Sequence, residues 1–111
     1  MGSQIVRVFE AKSIERQRRQ SGKTYLEFLR ESSMSVGFYV LGAGTVDQQS
    51  PHREDELYYI VRGKGRMSAG AKDHCVGPGS LIFIAAEVDH RFYDIEEELT
   101  VLVFFAPAET V

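Results

Sequence analysis

Two imidazoles and a carboxylate stand out by type and position. His52 and Glu56 lie in the polar run Ser50-Pro51-His52-Arg53-Glu54-Asp55-Glu56, and His90 follows the apolar run Leu81-Ile82-Phe83-Ile84 and the short stretch Ala85-Ala86-Glu87-Val88-Asp89. Histidine nitrogen and carboxylate oxygen are donors for divalent transition metals. Presented in strand-and-turn sequence, as here, they are what a β-barrel uses to build a metal site. Glu54 shares the sequence parity of His52 and Glu56 and is the alternative carboxylate, although its place in the run reads as a solvated turn. Gln48 and Ser50 are candidates for a pocket rim or for hydrogen bonds to a bound water. His74, between Asp73 and Cys75, reads as an exposed hairpin histidine.

The spacing constrains the elements that must position these groups. His52 and Glu56 are four residues apart, which on a straight strand separates their Cα atoms by roughly 13 Å, too far to share an ion. The chain must therefore turn through Arg53-Glu54-Asp55 before entering a strand; a helical turn would also place the pair on one face, but Leu57-Tyr58-Tyr59-Ile60-Val61 follows at once and favours turn then strand. On that strand Glu56, Tyr58 and Ile60 share one face. An inward Glu56 thus carries Tyr58 inward, as a pocket-lining phenol and the candidate catalytic proton donor. His90 and Phe92 share a face at the start of a later strand. Phe92 and Tyr25 could also touch a ligand, although core packing is the commoner fate of such rings.

The rest of the chain reads as strands after residue 24, with runs at 34–41, 57–61, 81–85 and 99–105 rich in Val, Ile, Phe and Tyr. Gly42/Gly44, Gly63/Gly65, Gly70 and Gly77/Gly79 read as turns between them. No helix-period pattern follows any of these glycines, which argues against a phosphate-binding loop. One helix is expected over 13–20, with Ser13 as N-cap and Gly22 as its stop. Residues 5–9 read as a strand with few partners in so small a barrel, so a homodimer that packs or pairs it is expected.

With 111 residues, 43% hydrophobic and 26% charged, the chain suits a single domain over 1–111. A net charge of -3 gives no electrostatic reason to expect nucleic acid. No apolar stretch approaches the length of a membrane span, so no membrane partner is expected. One cysteine excludes an intrachain disulfide, and a cytoplasmic location is the simplest.

These motifs resemble the cupin superfamily, and most of all its small single-domain, conserved-barrel members. The family's first motif runs glycine, five residues, His-x-His, three or four residues, glutamate, six residues, glycine. Its second runs glycine, five residues, Pro-x-Gly, two residues, histidine, three residues, asparagine. Glu56 to Gly63 has the six intervening residues, His52 stands where the second histidine of the pair belongs, and Gly79 to His90 reproduces the second spacing. Ser50 stands at the first histidine, Ala85 and Glu87 replace the proline and glycine, Asp94 replaces the asparagine, and the leading glycine matches only approximately at Gly42 or Gly44. The resemblance covers about residues 24–106. It implies an all-β fold, an antiparallel jelly-roll barrel of six to eight strands with a divalent metal inside, held here by His52, Glu56 and His90. Two histidines and a carboxylate suit Fe(II) or zinc with open positions, and iron, zinc, manganese or nickel are the candidate cofactors. Such a metal acts as a Lewis acid, lowers the pKa of water or templates a chelating substrate. The expectation is a metal-dependent enzyme, dioxygenase- or isomerase-like, for a small oxygenated or carboxylated molecule; a non-catalytic small-ligand or sensor barrel is the alternative.

Overall fold

A computed structural model describes residues 5–48 and 51–110. One helix, α1 (Ala11–Ser21), precedes β1 (Tyr25–Arg30), β2 (Ser35–Leu41), β3 (Asp55–Ala69), β4 (Lys72–Val76), β5 (Leu81–Ile84) and β6 (His90–Ala106). Every pairing is antiparallel, in the order β1-β2-β6-β3-β4, with β5 also on β3. The architecture is an all-β antiparallel jelly roll.

Two long strands organise it. β3 and β6 pair from Asp55↔Ala106 at one end to Ala69↔His90 at the other, and the register slips three times between Ile60 and Arg66. Bulges bend and twist a ladder. Here they fold the shared ribbon over itself, so that its first half, flanked by β2 and β5, faces its second half, flanked by β4. The inward residues of both halves fill one core: Tyr58, Ile60, Val101 and Val103 from the first, Met67, Phe92 and Ile95 from the second. Strict alternation along β3 (Glu56, Tyr58 and Ile60 buried; Leu57, Tyr59 and Val61 more exposed) follows from the two-residue repeat of a strand.

Three expectations need correction. Gly63 and Gly65 do not make a turn; both lie inside β3. Gly63 has φ 99°, and a Cβ there would sit 2.1 Å from the Glu98 carbonyl oxygen, so glycine serves the close strand approach at the bulge. The helix starts earlier than expected. Glu10 is its N-cap, with no side-chain cap, and Ser13 lies inside it; Gly22 does end it, with φ 73° and its N–H on the Arg19 carbonyl. Residues 5–9 form no strand, and Ile5, Val6 and Val8 are exposed at 65%, 83% and 82%. The helix that follows packs on β1 and β2 and pairs its Glu15 with Arg62 of β3, and Phe9 meets Phe28 of β1 edge to face. Among the described residues no helix is long and apolar enough to cross a membrane.

Gly63→Ala adds left-handed strain of about 1–2 kcal/mol to a backbone clash at the fold-over. The expected outcome is a loss of at least about 2 kcal/mol in urea unfolding; an unchanged midpoint would show that the ribbon bends elsewhere.

Candidate metal centre

The two ends of the β3–β6 ribbon meet across the barrel. Glu56, near the start of β3, and His90, the first residue of β6, lie far apart along the ladder, yet His90 Nε2 is 3.1 Å from Glu56 Oε1. His52 joins them from the turn before β3. One donor atom from each of His52, Glu56 and His90 lies within 4.8 Å of the others, and the imidazole centroids of the two histidines are 5.6 Å apart. The chain bends at Arg53 and Glu54 and only then enters β3, as the four-residue spacing requires.

Backbone N–H groups lock the two halves of the site. The Glu87 N–H donates to the His52 carbonyl at 2.7 Å, and the Ala86 N–H to Asp55 Oδ1 at 2.9 Å. The bend before His90 is thereby fastened to the turn that carries His52. Glu87 adopts φ 69° in this bend and Asp94 φ 46° beyond it, so left-handed backbone persists at positions where neither residue is glycine.

The electrostatics turn on Glu56. It is 2% exposed, and neither carboxylate oxygen has an aligned hydrogen-bond donor among the described residues. The His90 contact is of ion-pair length but not a directed hydrogen bond. His90 Nδ1 lies 2.8 Å from the Val88 carbonyl, a pure acceptor, so Nδ1 carries the proton and Nε2 of the neutral ring is a lone pair. That lone pair faces both the Glu56 carboxylate and the Tyr58 hydroxyl, 3.1 Å away. Burial alone would lower the His90 pKa; the Glu56 carboxylate and the Val88 carbonyl outweigh it and hold it above the ordinary histidine value. The cluster thus favours positive charge at its centre, from a proton or a metal cation. The donor set and its orphaned carboxylate both fit a divalent metal.

Tyr58 points inward, as strand alternation requires, but it does not line the cavity beside the cluster. It is fully buried, its ring tilted against Phe92 with centroids 5.0 Å apart, and its hydroxyl lies 3.1 Å from His90 Nε2. Tyr25 does line the cavity, with Tyr39, His52, Glu56, Val103, Phe105 and Glu109, around a volume of about 190 Å³. Its ring lies over Gly37, where a Cβ would come within 2.4 Å of it. Glu54 is not solvated: it is 5% exposed and its Oε2 accepts from the Thr110 N–H at 3.1 Å and from the Thr110 hydroxyl, which turns it away from the cluster. His74 is exposed on β4. Gln48 lines neighbouring cavities, and Ser50 lies outside the described residues.

Sequence reasoning missed Asp47 and Glu109. Asp47 is 2% exposed and accepts from the Tyr39 hydroxyl at 2.7 Å and from the Phe92 N–H at 2.9 Å, tying the loop after β2 to the start of β6. Glu109 comes from the segment after β6 and places Oε2 3.4 Å from His52 Nδ1. Burial raises the Glu109 pKa, His52 opposes the shift, and Glu56 and Glu54 add to it. No spacing rule points to either residue. The available signal for Asp47 was a carboxylate in a glycine-flanked loop, a weak one.

A family model described as the cupin domain matches residues 37–106. The Streptomyces coelicolor protein called uncharacterized protein SCO3923 is 42% identical over 105 residues, which is 95% of this chain and all of that one. Among solved structures, TT1209 from Thermus thermophilus superposes with a TM-score of 0.72 at 19% identity, over 91% of this chain and 97% of that one. The DMSP lyase DddQ from Ruegeria pomeroyi gives 0.64 at 21% identity, over 68% of this chain and 39% of that one. The two structural likenesses concern the fold.

Glu87→Gly relieves a left-handed side-chain clash while keeping the N–H that holds His52. We expect stability to rise by up to about 1 kcal/mol, the left-handed penalty less the entropy glycine adds to the unfolded chain. A lower denaturation midpoint would mean that the Glu87 side chain makes a compensating contact.

Proposed function

The chain belongs to the cupin family, and from that premise we propose that it is a metal-dependent enzyme, dioxygenase- or isomerase-like, acting on a small oxygenated or carboxylated molecule. His52, Glu56 and His90 would hold the divalent ion, whether iron, zinc, manganese or nickel. The observation that carries this reading is the Glu56 carboxylate, buried beside two imidazoles without a hydrogen-bond donor of its own among the described residues. Burying such a charge is costly unless a cation compensates it. The similarity to a DMSP lyase supports an enzymatic use of the fold and nothing finer.

A bound metal would supply Lewis acidity toward an oxygen donor. The chain's own groups do the rest. A cavity of about 190 Å³ admits only a small molecule, and Val103 and Phe105 give it an apolar wall that limits water. The Tyr25 hydroxyl is buried in it with no hydrogen-bond partner among the described residues. Burial, with Glu109, Glu27 and Glu56 nearby, raises its pKa well above the ordinary phenol value, so Tyr25 stays protonated and can donate to a substrate oxygen. Tyr58, proposed as the proton donor on sequence grounds, would act from behind His90, where its ring lies 5.9 Å from the imidazole and helps set its orientation; with Nε2 on a metal, its hydroxyl would not donate to that nitrogen.

A non-catalytic ligand-binding barrel is the second reading, and serine at position 50, where the family's first motif has a histidine, favours it. Tyr25→Phe separates the two: turnover falling with ligand affinity nearly kept indicates chemistry, whereas equal weakening of binding with no turnover in the wild type indicates a carrier. We also propose a homodimer that covers the exposed Ile5, Val6 and Val8. A monomeric mass in sedimentation velocity would remove it.

Elemental analysis of the purified protein, with zinc or Fe(II) titrations, tests the metal directly. We expect near-stoichiometric binding, weakened beyond about 100-fold by His52→Ala, Glu56→Gln or His90→Ala, more than the loss of a supporting residue costs. Wild type that takes up no metal would end the proposal. Because His90 keeps its proton to higher pH than an ordinary histidine, affinity should begin to fall as pH drops while still above about 6.5, the usual histidine value. An affinity flat down to pH 5 would show that His90 is not a ligand.

A further inference from the structure

The segment after β6 reaches the cavity through Glu109 and is fastened through its backbone. The Glu109 N–H donates to Ser35 Oγ at 2.9 Å, the Glu109 carbonyl accepts from the Arg30 guanidinium at 2.7 Å, and the Thr110 N–H donates to Glu54 Oε2 at 3.1 Å. Ser35 and Glu54 are both buried. Anchored on either side in this way, Glu109 turns its carboxylate onto His52 Nδ1 at 3.4 Å and contributes to the cavity lining. It is not one of the three residues whose donor atoms converge.

From this geometry we infer that Glu109 is the positioning residue for His52: its carboxylate accepts the Nδ1 proton, fixes the ring's tautomer and leaves Nε2 as the lone pair offered to a divalent cation. This deepens the metal reading and rests on it. His90 supplies the parallel. There the Val88 carbonyl holds Nδ1 and frees Nε2 toward Glu56. Each histidine of the cluster would then be oriented by an oxygen acceptor on its far nitrogen, one from the backbone and one from the tail. Ligating histidines generally need such a partner, and its removal typically costs about 10–100-fold in metal affinity. An accepting oxygen is what the role requires, so glutamine can fill it and alanine cannot.

The test compares wild type with Glu109→Gln and Glu109→Ala. The anchors use the Glu109 backbone, so both variants should keep the strap and unfold at near-wild-type temperatures. Nitrogen NMR of the metal-free proteins at pH 9 reads the His52 tautomer: Nδ1–H should dominate in wild type and in Glu109→Gln, and mix with Nε2–H in Glu109→Ala. Zinc affinity should fall about 10–100-fold in Glu109→Ala and stay near wild type in Glu109→Gln. The same tautomer and the same affinity in all three proteins would overturn the assignment. Glu109→Gln binding as weakly as Glu109→Ala, with a changed absorption spectrum of the cobalt-loaded protein, would also overturn it by making Glu109 a ligand. The tautomer readout needs no metal. A wild type that binds none therefore defeats the metal reading separately from the placement of Glu109 on His52.

Discussion

The folding of the β3–β6 ribbon over itself is the constraint on which everything else depends. Only because the register slips around Gly63 can Glu56, at one end of a ladder that pairs Asp55 with Ala106, face His90 at the other end, where it pairs with Ala69. The same bend creates the interior that the core fills. Tyr58 and Phe92, one from each half, lie with ring centroids 5.0 Å apart, each two residues along its strand from a donor residue, so the packing that stabilises the barrel also holds Glu56 and His90 in place. The β2 and β5 strands then serve mainly to complete the ladder on either side of the first half.

A folded ribbon alone would leave the two motif turns free to slide. The hydrogen bonds from Glu87 and Ala86 to the His52–Asp55 turn remove that freedom at the cost of a left-handed glutamate in the bend. Strain held in place by surrounding structure is common at functional sites. Here its consequence is geometric: the backbone that carries His52 is tied to the bend that precedes His90, which holds His52 beside the two donors that stand on β3 and β6.

What was legible in the sequence was whatever depends on local period and spacing. Alternation placed Glu56, Tyr58 and Ile60 on one inward face, the four-residue gap demanded a turn after His52, and the Gly79 to His90 interval located the second half of the site. Groups positioned by contacts distant in sequence were not legible. Glu54 looked solvated because its partner, Thr110, lies 56 residues on, and Glu109 was silent because its anchor Ser35 lies 74 residues back. Gly63 was misread for a related reason. A glycine in a turn and a glycine at a bulge share a left-handed φ, and only the neighbouring strand, whose Glu98 carbonyl excludes a side chain, distinguishes them.

The site's charge follows from how each of its carboxylates is satisfied. Asp47 takes a phenol and a backbone N–H, Glu54 takes two donors from Thr110, and Glu109 sits against an imidazole. Glu56 differs from all three, since it is the most central and has no aligned donor among the described residues, only imidazole nitrogen at ion-pair distance. Nature commonly satisfies buried polar groups, so an orphan among satisfied neighbours is informative. A neutral hydrogen-bonding ligand would more readily be met by donors, and the neighbouring carboxylates already have them. Electron pairs from Glu56 and two histidines, converging on a point from which other acids have been diverted, instead select for positive charge.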